Sequence, residues 1–206
     1  MKEEITARIL ADKVIAIVRL DEAQQVAPAV GTLIDAGIKV LEITSNTPGY
    51  LAAIQAARQR YPDVTIGAGT VINAALATEA IAHDAQFLVT PNMNTEVITV
   101  AHRAGIPAVM GAMTPTEVAL GVESGADFIK LFPAAALGID YFKALLGPFR
   151  GTRFLAVGGI NQTNALDWFH AGVSGIGVGG SIMAGEPAAV SQSIDRLLRS
   201  IMDNDA

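Results

Sequence analysis

The sequence predicts an α/β fold, a (β/α)8 TIM barrel preceded by one extra helix, and three observations predict it. Short β-rich runs alternate eight times with Ala-rich, mostly amphipathic stretches along 206 residues. Glycine follows four of those stretches, at Gly37, Gly105, Gly125 and Gly172, where a helix end favours a left-handed residue. The composition is 51% hydrophobic and only 17% charged, as suits strands buried on both faces. An Ala-Gly or Ser-Gly pair before the next strand sets a quasi-repeat of about 20–26 residues, one βα unit. Eight such units favour a closed barrel over a doubly wound sheet, near the compact end for that fold.

The elements follow in order. Lys2–Asp12 predicts the extra helix. Strand one is predicted at Val14–Arg19, followed by the helical stretch AQQVAPAVGTLIDAG. Strand two is Val40–Thr44, strand three Thr65–Thr70 and strand four Phe87–Thr90. The amphipathic stretch NTEVITVAHRAG leads to strand five at Ala108–Met110. Strand six is Phe128–Phe132, strand seven Arg153–Val157 and strand eight Gly175–Val178. No linker or break in composition interrupts the pattern, so residues 1–206 are expected to form a single domain.

Composition also excludes function classes. A net charge of −6 with no basic run argues against nucleic-acid binding. An anionic ligand must therefore be attracted by local groups. With no cysteine there is no disulfide, thiolate metal site or cysteine nucleophile. The charged N-terminus, MKEEITARILADK, does not read as a signal peptide. No apolar stretch approaches the ~20 residues of a membrane span, so a cytoplasmic protein is expected.

Lys130 stands alone inside the apolar run ADFIKLFPA. One reading is a strand-end lysine with its head in water. The other is a buried amine whose pKa is lowered by desolvation, which makes it a nucleophile toward carbonyls. Strand parity bears on the choice. Lys130 shares a face with Phe128 and Phe132, while Ile129 and Leu131 face the helices. In strand two, Glu42 shares a face with Val40, opposite to Leu41 and Ile43. Glu42 and Lys130 thus both point into the barrel from opposite even-numbered strands. They form either a costly structural ion pair or a catalytic pair.

Arg19 ends strand one and offers a fork for a carboxylate or phosphate, or is an ordinary surface arginine. IGAGTV (Ile66–Val71) puts glycines and Thr70 at the mouth of strand three. VGGI (Val157–Ile160) and GVGGS (Gly177–Ser181) follow strands seven and eight, where barrels of this kind bind phosphate on backbone N–H groups. Such groups attract an anion without added lysines; the alternative is two tight turns. His83, His102 and His170 fall in predicted helices without metal-binding spacing, so no metal site is expected.

In this order, IAIVR (Ile15–Arg19), LEIT (Leu41–Thr44), IGAGTV, VTPN (Val89–Asn92), KLFPA (Lys130–Ala134), KALLGPF (Lys143–Phe149), VGGI and GVGGS resemble the KDPG/KHG aldolase family from end to end. The family includes aldolases of 2-dehydro-3-deoxy-6-phosphogluconate (KDPG), its galactonate epimer (KDPGal) and 4-hydroxy-2-oxoglutarate (KHG). The resemblance implies a (β/α)8 barrel, a homotrimer, and a metal-independent, cofactor-free class I aldolase. It implies that Lys130 forms the Schiff base and that Glu42 moves protons. It implies pyruvate-end contacts at Arg19 and Thr70, phosphate at Gly159, Gly179, Gly180 and Ser181, and a substrate wall that includes Pro91, Phe132 and Val157. Asn46, VTPN and AVGGI are similar to the galactonate type; the GPF and MTPTE (Met113–Glu117) segments are similar to the gluconate/hydroxyglutarate type. Val157 stands where gluconate-type chains have threonine, so loose discrimination between C4 epimers is expected.

The expected reaction is cleavage of a 2-keto-3-deoxy-6-phospho sugar acid to pyruvate and glyceraldehyde 3-phosphate. Within the same imine chemistry, hydroxyglutarate cleavage and oxaloacetate decarboxylation stay open. A sugar-phosphate epimerase or isomerase would use the glycine loops but leave Lys130 idle. A non-catalytic barrel would keep Glu42 and Lys130 as a structural pair.

Overall fold

Residues 1–180 and 185–203 are described by the computed structural model. Its strands are β1 (Val14–Val18), β2 (Val40–Thr44), β3 (Thr65–Gly69), β4 (Leu88–Val89), β5 (Ala108–Ala112), β6 (Phe128–Leu131), β7 (Phe154–Val157) and β8 (Gly175–Val178). They pair in sequence order and close, β1 against β8, all parallel. The helices are α1 (Lys2–Asp12), α2 (Val26–Asp35), α3 (Tyr50–Arg60), α4 (Ala74–Ala82), α5 (Thr95–Arg103), α6 (Pro115–Glu123), α7 (Ala134–Leu137), α8 (Ile139–Leu146), α9 (Ala165–Ala171) and α10 (Pro187–Asp203). The (β/α)8 barrel with its extra N-terminal helix is therefore the observed fold. Among the described residues no helix is long and apolar enough to cross a membrane.

The helices begin and end as local chemistry dictates. Asn73 and Asn94 cap α4 and α5 by accepting backbone N–H bonds from Leu76 and from Glu96 and Val97. The MTPTE segment is a helix start: Thr114 and Glu117 form a reciprocal capping box around Pro115, and Tyr141 donates to the Met113 carbonyl at 2.7 Å. Gly37, Gly105, Gly125 and Gly172 all take left-handed backbone just past a helix.

Side chains alternate as the strand period requires. Leu41, Ile43, Ile129 and Leu131 are buried under the helices. Six strands differ from expectation in their bounds: β1, β3 and β6 stop one residue sooner, leaving Arg19, Thr70 and Phe132 just past the strand ends, β7 starts one residue later, and β4 and β5 differ by two residues each. Regular pairing in β4 covers only Leu88–Val89, although backbone bonds still reach Phe87 and Thr90. β5 runs two residues further, through Gly111 and Ala112. A Cβ on Gly111 would sit 2.6 Å from the Asn92 nitrogen, so the glycine marks a close backbone crossing within the strand.

α1 packs against the starts of β1, β2 and β8 through Ile5 and Ile9. Its first turn reaches across to strand six. The Lys2 ammonium lies 2.9 Å from Asp127 Oδ1, while Asp127 Oδ2 meets His102 Nε2 at 2.8 Å and the Ala108 N–H at 2.9 Å. Burial pushes the Asp127 pKa up, but the Ala108 N–H, His102 and Lys2 together hold it below the usual carboxylate value. His102 is thus half-buried in a structural hydrogen bond to Asp127, and His83 sits at the C-cap of α4 just outside the helix.

Candidate active site

The C-terminal ends of the strands open into a cavity of about 420 Å³. Arg19, Thr70, Pro91, Lys130, Phe132, Val157, Gly159, Gly179 and Gly180 all line it. Glu42 lies one layer deeper, in a chamber of about 10 Å³ shared with Lys130, Val157 and Gly177. That volume is about the threshold for one water molecule. Ser181 lies outside the described residues. Sequence reasoning passed over Ile17, Gly158, Ile160 and Gly177, which also line the cavity. Strand parity from Arg19 points to Ile17; the others sit inside or beside the glycine motifs.

Lys130 is only 5% exposed, and its Nζ lies 5.1 Å from the centre of the Phe132 ring. Burial pushes the amine below its ordinary pKa, the Arg19 charge pushes the same way, and the Glu42 charge opposes both. Glu42 is 2% exposed, and burial raises its carboxyl pKa against the charges of Lys130 and Arg19. Its Oε1 is buried and has no hydrogen-bond partner. A buried oxygen without a partner carries a desolvation cost, which a water or a substrate hydroxyl in the small chamber can relieve. Both groups are displaced toward their neutral forms. That direction suits an amine that attacks carbonyls and a carboxyl that gives and takes protons.

The mouth is built by close backbone approach. A Cβ on Gly69 would meet the Glu42 carboxylate, 2.6 Å from Cδ, so glycine makes room for the acid. Gly158 and Gly159 have φ of 94° and 77°. A Cβ on Gly159 would stand 2.5 Å from that of Ala135, so the β7 loop lies directly on the start of α7. The Asn164 side-chain amide donates to the Gly159 carbonyl at 2.9 Å. Across the mouth, Arg19 Nη2 donates to Thr70 Oγ1 at 3.1 Å. Among the described residues no group of three or more His, Cys, Asp or Glu could hold a metal ion.

The sequence matches the KDPG and KHG aldolase family over residues 5–199. It is 33% identical over 190 residues to the 2-dehydro-3-deoxy-phosphogluconate aldolase of Dickeya dadantii, covering 92% of this chain and 89% of that one. It is 35% identical over 184 residues to the 2-dehydro-3-deoxy-6-phosphogalactonate aldolase of Escherichia coli, covering 88% and 87%. The fold superposes with a TM-score of 0.82, at 30% identity and 97% coverage of both chains, on the KDPG aldolase of Legionella pneumophila, whose structure holds pyruvate as a covalent carbinolamine intermediate.

A barrel of this form, with these relatives, is a carbon–carbon lyase of the Schiff-base aldolase class. Within that class, the chain belongs to the KDPG and KHG aldolase family.

Proposed function

We propose that this aldolase cleaves a 2-keto-3-deoxy-6-phospho sugar acid, KDPG or its C4 epimer, and that Lys130 is its Schiff-base residue. The observation that carries the reading is the pairing of a buried amine with a buried carboxyl oxygen that has no partner, both on one small chamber. The neutral Lys130 amine adds to the C2 carbonyl, and the protonated Glu42 carboxyl gives its proton to the carbinolamine hydroxyl, which leaves as water and gives an iminium with Glu42 now a carboxylate. Glu42, through a water in the chamber, takes the C4 hydroxyl proton as the C3–C4 bond breaks. The bonding pair passes into the iminium and leaves an enamine, and glyceraldehyde 3-phosphate departs. Glu42 returns that proton to C3, and water then adds to the iminium carbon, releasing pyruvate and restoring the neutral amine and the protonated Glu42 carboxyl.

Arg19 and Thr70 hold the C1 carboxylate end; their hydrogen bond on the cavity wall supports this reading, with the remaining guanidinium N–H groups as donors. Pro91, Phe132 and Val157 form the apolar wall. Gly159, Gly179, Gly180 and Ser181 bind the phosphate through backbone N–H groups, which answers the net charge of −6 without added cations. No cofactor or metal takes part in this scheme. The exposed apolar side chains of Ile72, Met113 and Leu120 support self-association, proposed as a homotrimer working in the cytoplasm as one compact domain.

Pyruvate with borohydride should leave one reduced adduct on Lys130, read by peptide mass, with none in Lys130→Ala. An adduct undiminished in that variant would refute the assignment.

A further inference from the structure

Among the described residues, three that are not glycine have left-handed backbone: Lys13, Thr70 and Asp84. Two are explained by helix endings, since Lys13 caps α1 and Asp84 follows the cap of α4. Thr70 has no helix before it. It is β-branched, it follows β3 on the cavity wall, and its φ is 57°, a conformation such residues rarely adopt. Something local must hold it there.

The Ser45 hydroxyl donates to the Thr70 carbonyl at 2.7 Å, while the Ser45 N–H donates to the Gly69 carbonyl at 2.8 Å. Ser45 thus holds the carbonyls of both peptide units that flank Thr70. The Thr70 hydroxyl is then free to accept from Arg19 at 3.1 Å. The same β2 loop fixes the backbone on either side of Arg19. Thr44 and Thr47 hydroxyls reach the Val18 carbonyl at 3.3 and 3.5 Å, and the Leu20 N–H donates to Thr47 Oγ1 at 3.2 Å.

We propose that Ser45 is a positioning residue that holds Thr70 in its left-handed turn and so sets the Arg19–Thr70 clamp for the substrate carboxylate. It touches no reacting atom; it acts through Thr70. The inference rests on the reading of Arg19 and Thr70 given above.

The experiment titrates pyruvate against the extent of borohydride trapping at Lys130, with thermal melts alongside. Ser45→Ala should raise half-saturation by about 3- to 10-fold, the worth of one hydrogen bond, with the maximal extent of trapping unchanged. Ser45→Thr, which keeps the hydroxyl, should restore wild-type half-saturation. In a Thr70→Gly background the hydroxyl is gone and glycine takes the turn unaided. There Ser45→Ala should add less than about twofold. Unchanged half-saturation in a folded Ser45→Ala protein, or a full multiplicative loss in the Thr70→Gly background, would overturn the proposal. No trapping in the wild type would overturn the parent reading, and this inference with it.

Discussion

Gly69→Ala tests whether the position of the Glu42 carboxylate matters, and the structure supplies the magnitude. The new Cβ would lie 2.6 Å from Glu42 Cδ and closer still to Oε1. Glu42 is 2% exposed and walled in, so the carboxylate must rotate out of its chamber or the strands must part. Overpacking of this kind costs about 1–3 kcal/mol. For a chain of this size that lowers Tm by about 2–12 °C. If Glu42 moves protons, displacing it should also cost about 10²-fold in cleavage, within the range for general acid–base groups. Gly67→Ala provides the control. Its Cβ would stand 2.6 Å from the Phe87 ring, on the same strand and beside Glu42 in register, but with ring carbons rather than the carboxylate as its nearest neighbours. Comparable Tm losses are expected in both variants, with the larger kcat loss confined to Gly69→Ala. Steady-state cleavage coupled to pyruvate detection reads the first quantity, and borohydride trapping verifies that Lys130 still forms its imine. Near-wild-type turnover in Gly69→Ala, or an equal kcat loss in Gly67→Ala, would refute the reasoning.

Other outcomes follow from the same geometry. Removing the Arg19 charge in Arg19→Gln should move the pH midpoint of imine formation upward, because that charge lowers the Lys130 pKa; Glu42→Gln should move it downward, because the carboxylate raises it. Midpoints unmoved in both variants, measured by trapping against pH, would dissociate these charges from the amine. Val157→Thr adds a hydroxyl to an apolar wall, so the wild-type ratio of kcat/KM between C4 epimers, expected within about two orders of magnitude, should change by about tenfold. The phosphorylated substrate should exceed its dephospho form by about 10- to 100-fold in kcat/KM, and equal values would refute the glycine-loop phosphate site. Asp127→Asn should cost about 1–3 kcal/mol of stability near neutral pH. The folded Asp127 pKa is depressed, so its contribution is present above the unfolded value and is lost as pH falls through the folded one. The wild-type and variant melts should therefore converge in acid.

The barrel was legible because its parallel strands are apolar on both faces and its helices end in glycine. β4 and β5 were mismeasured where Gly111 lets one backbone cross another, a tertiary fact with no local signature. Inward parity brought Glu42 and Lys130 together on paper, and motif order gathered Arg19, Thr70 and the glycine loops. The sequence could not reveal the depth of Glu42 below the mouth or its unpartnered oxygen, since both depend on the width of the closed ring. Nor could it reveal Ser45, whose partner lies 25 residues away across a strand pair. The partner of His102 was hidden as well, because Asp127 reaches it only once β5 and β6 are side by side.

The contact between Lys2 and Asp127 spans 125 residues of chain, and the pairing of β1 with β8 joins Val14 to Ile176. On the ribosome the first helix therefore waits for its anchor until β6 has emerged, and β1 keeps an unpaired edge until β8 follows. Such late closure slows folding and leaves open strand edges as sites for misassembly in the nascent chain. The lysine strand, by contrast, is born beside β5 and next to β7. The part of the molecule that holds the chemistry thus has its neighbours to hand well before the ring that shields it is complete.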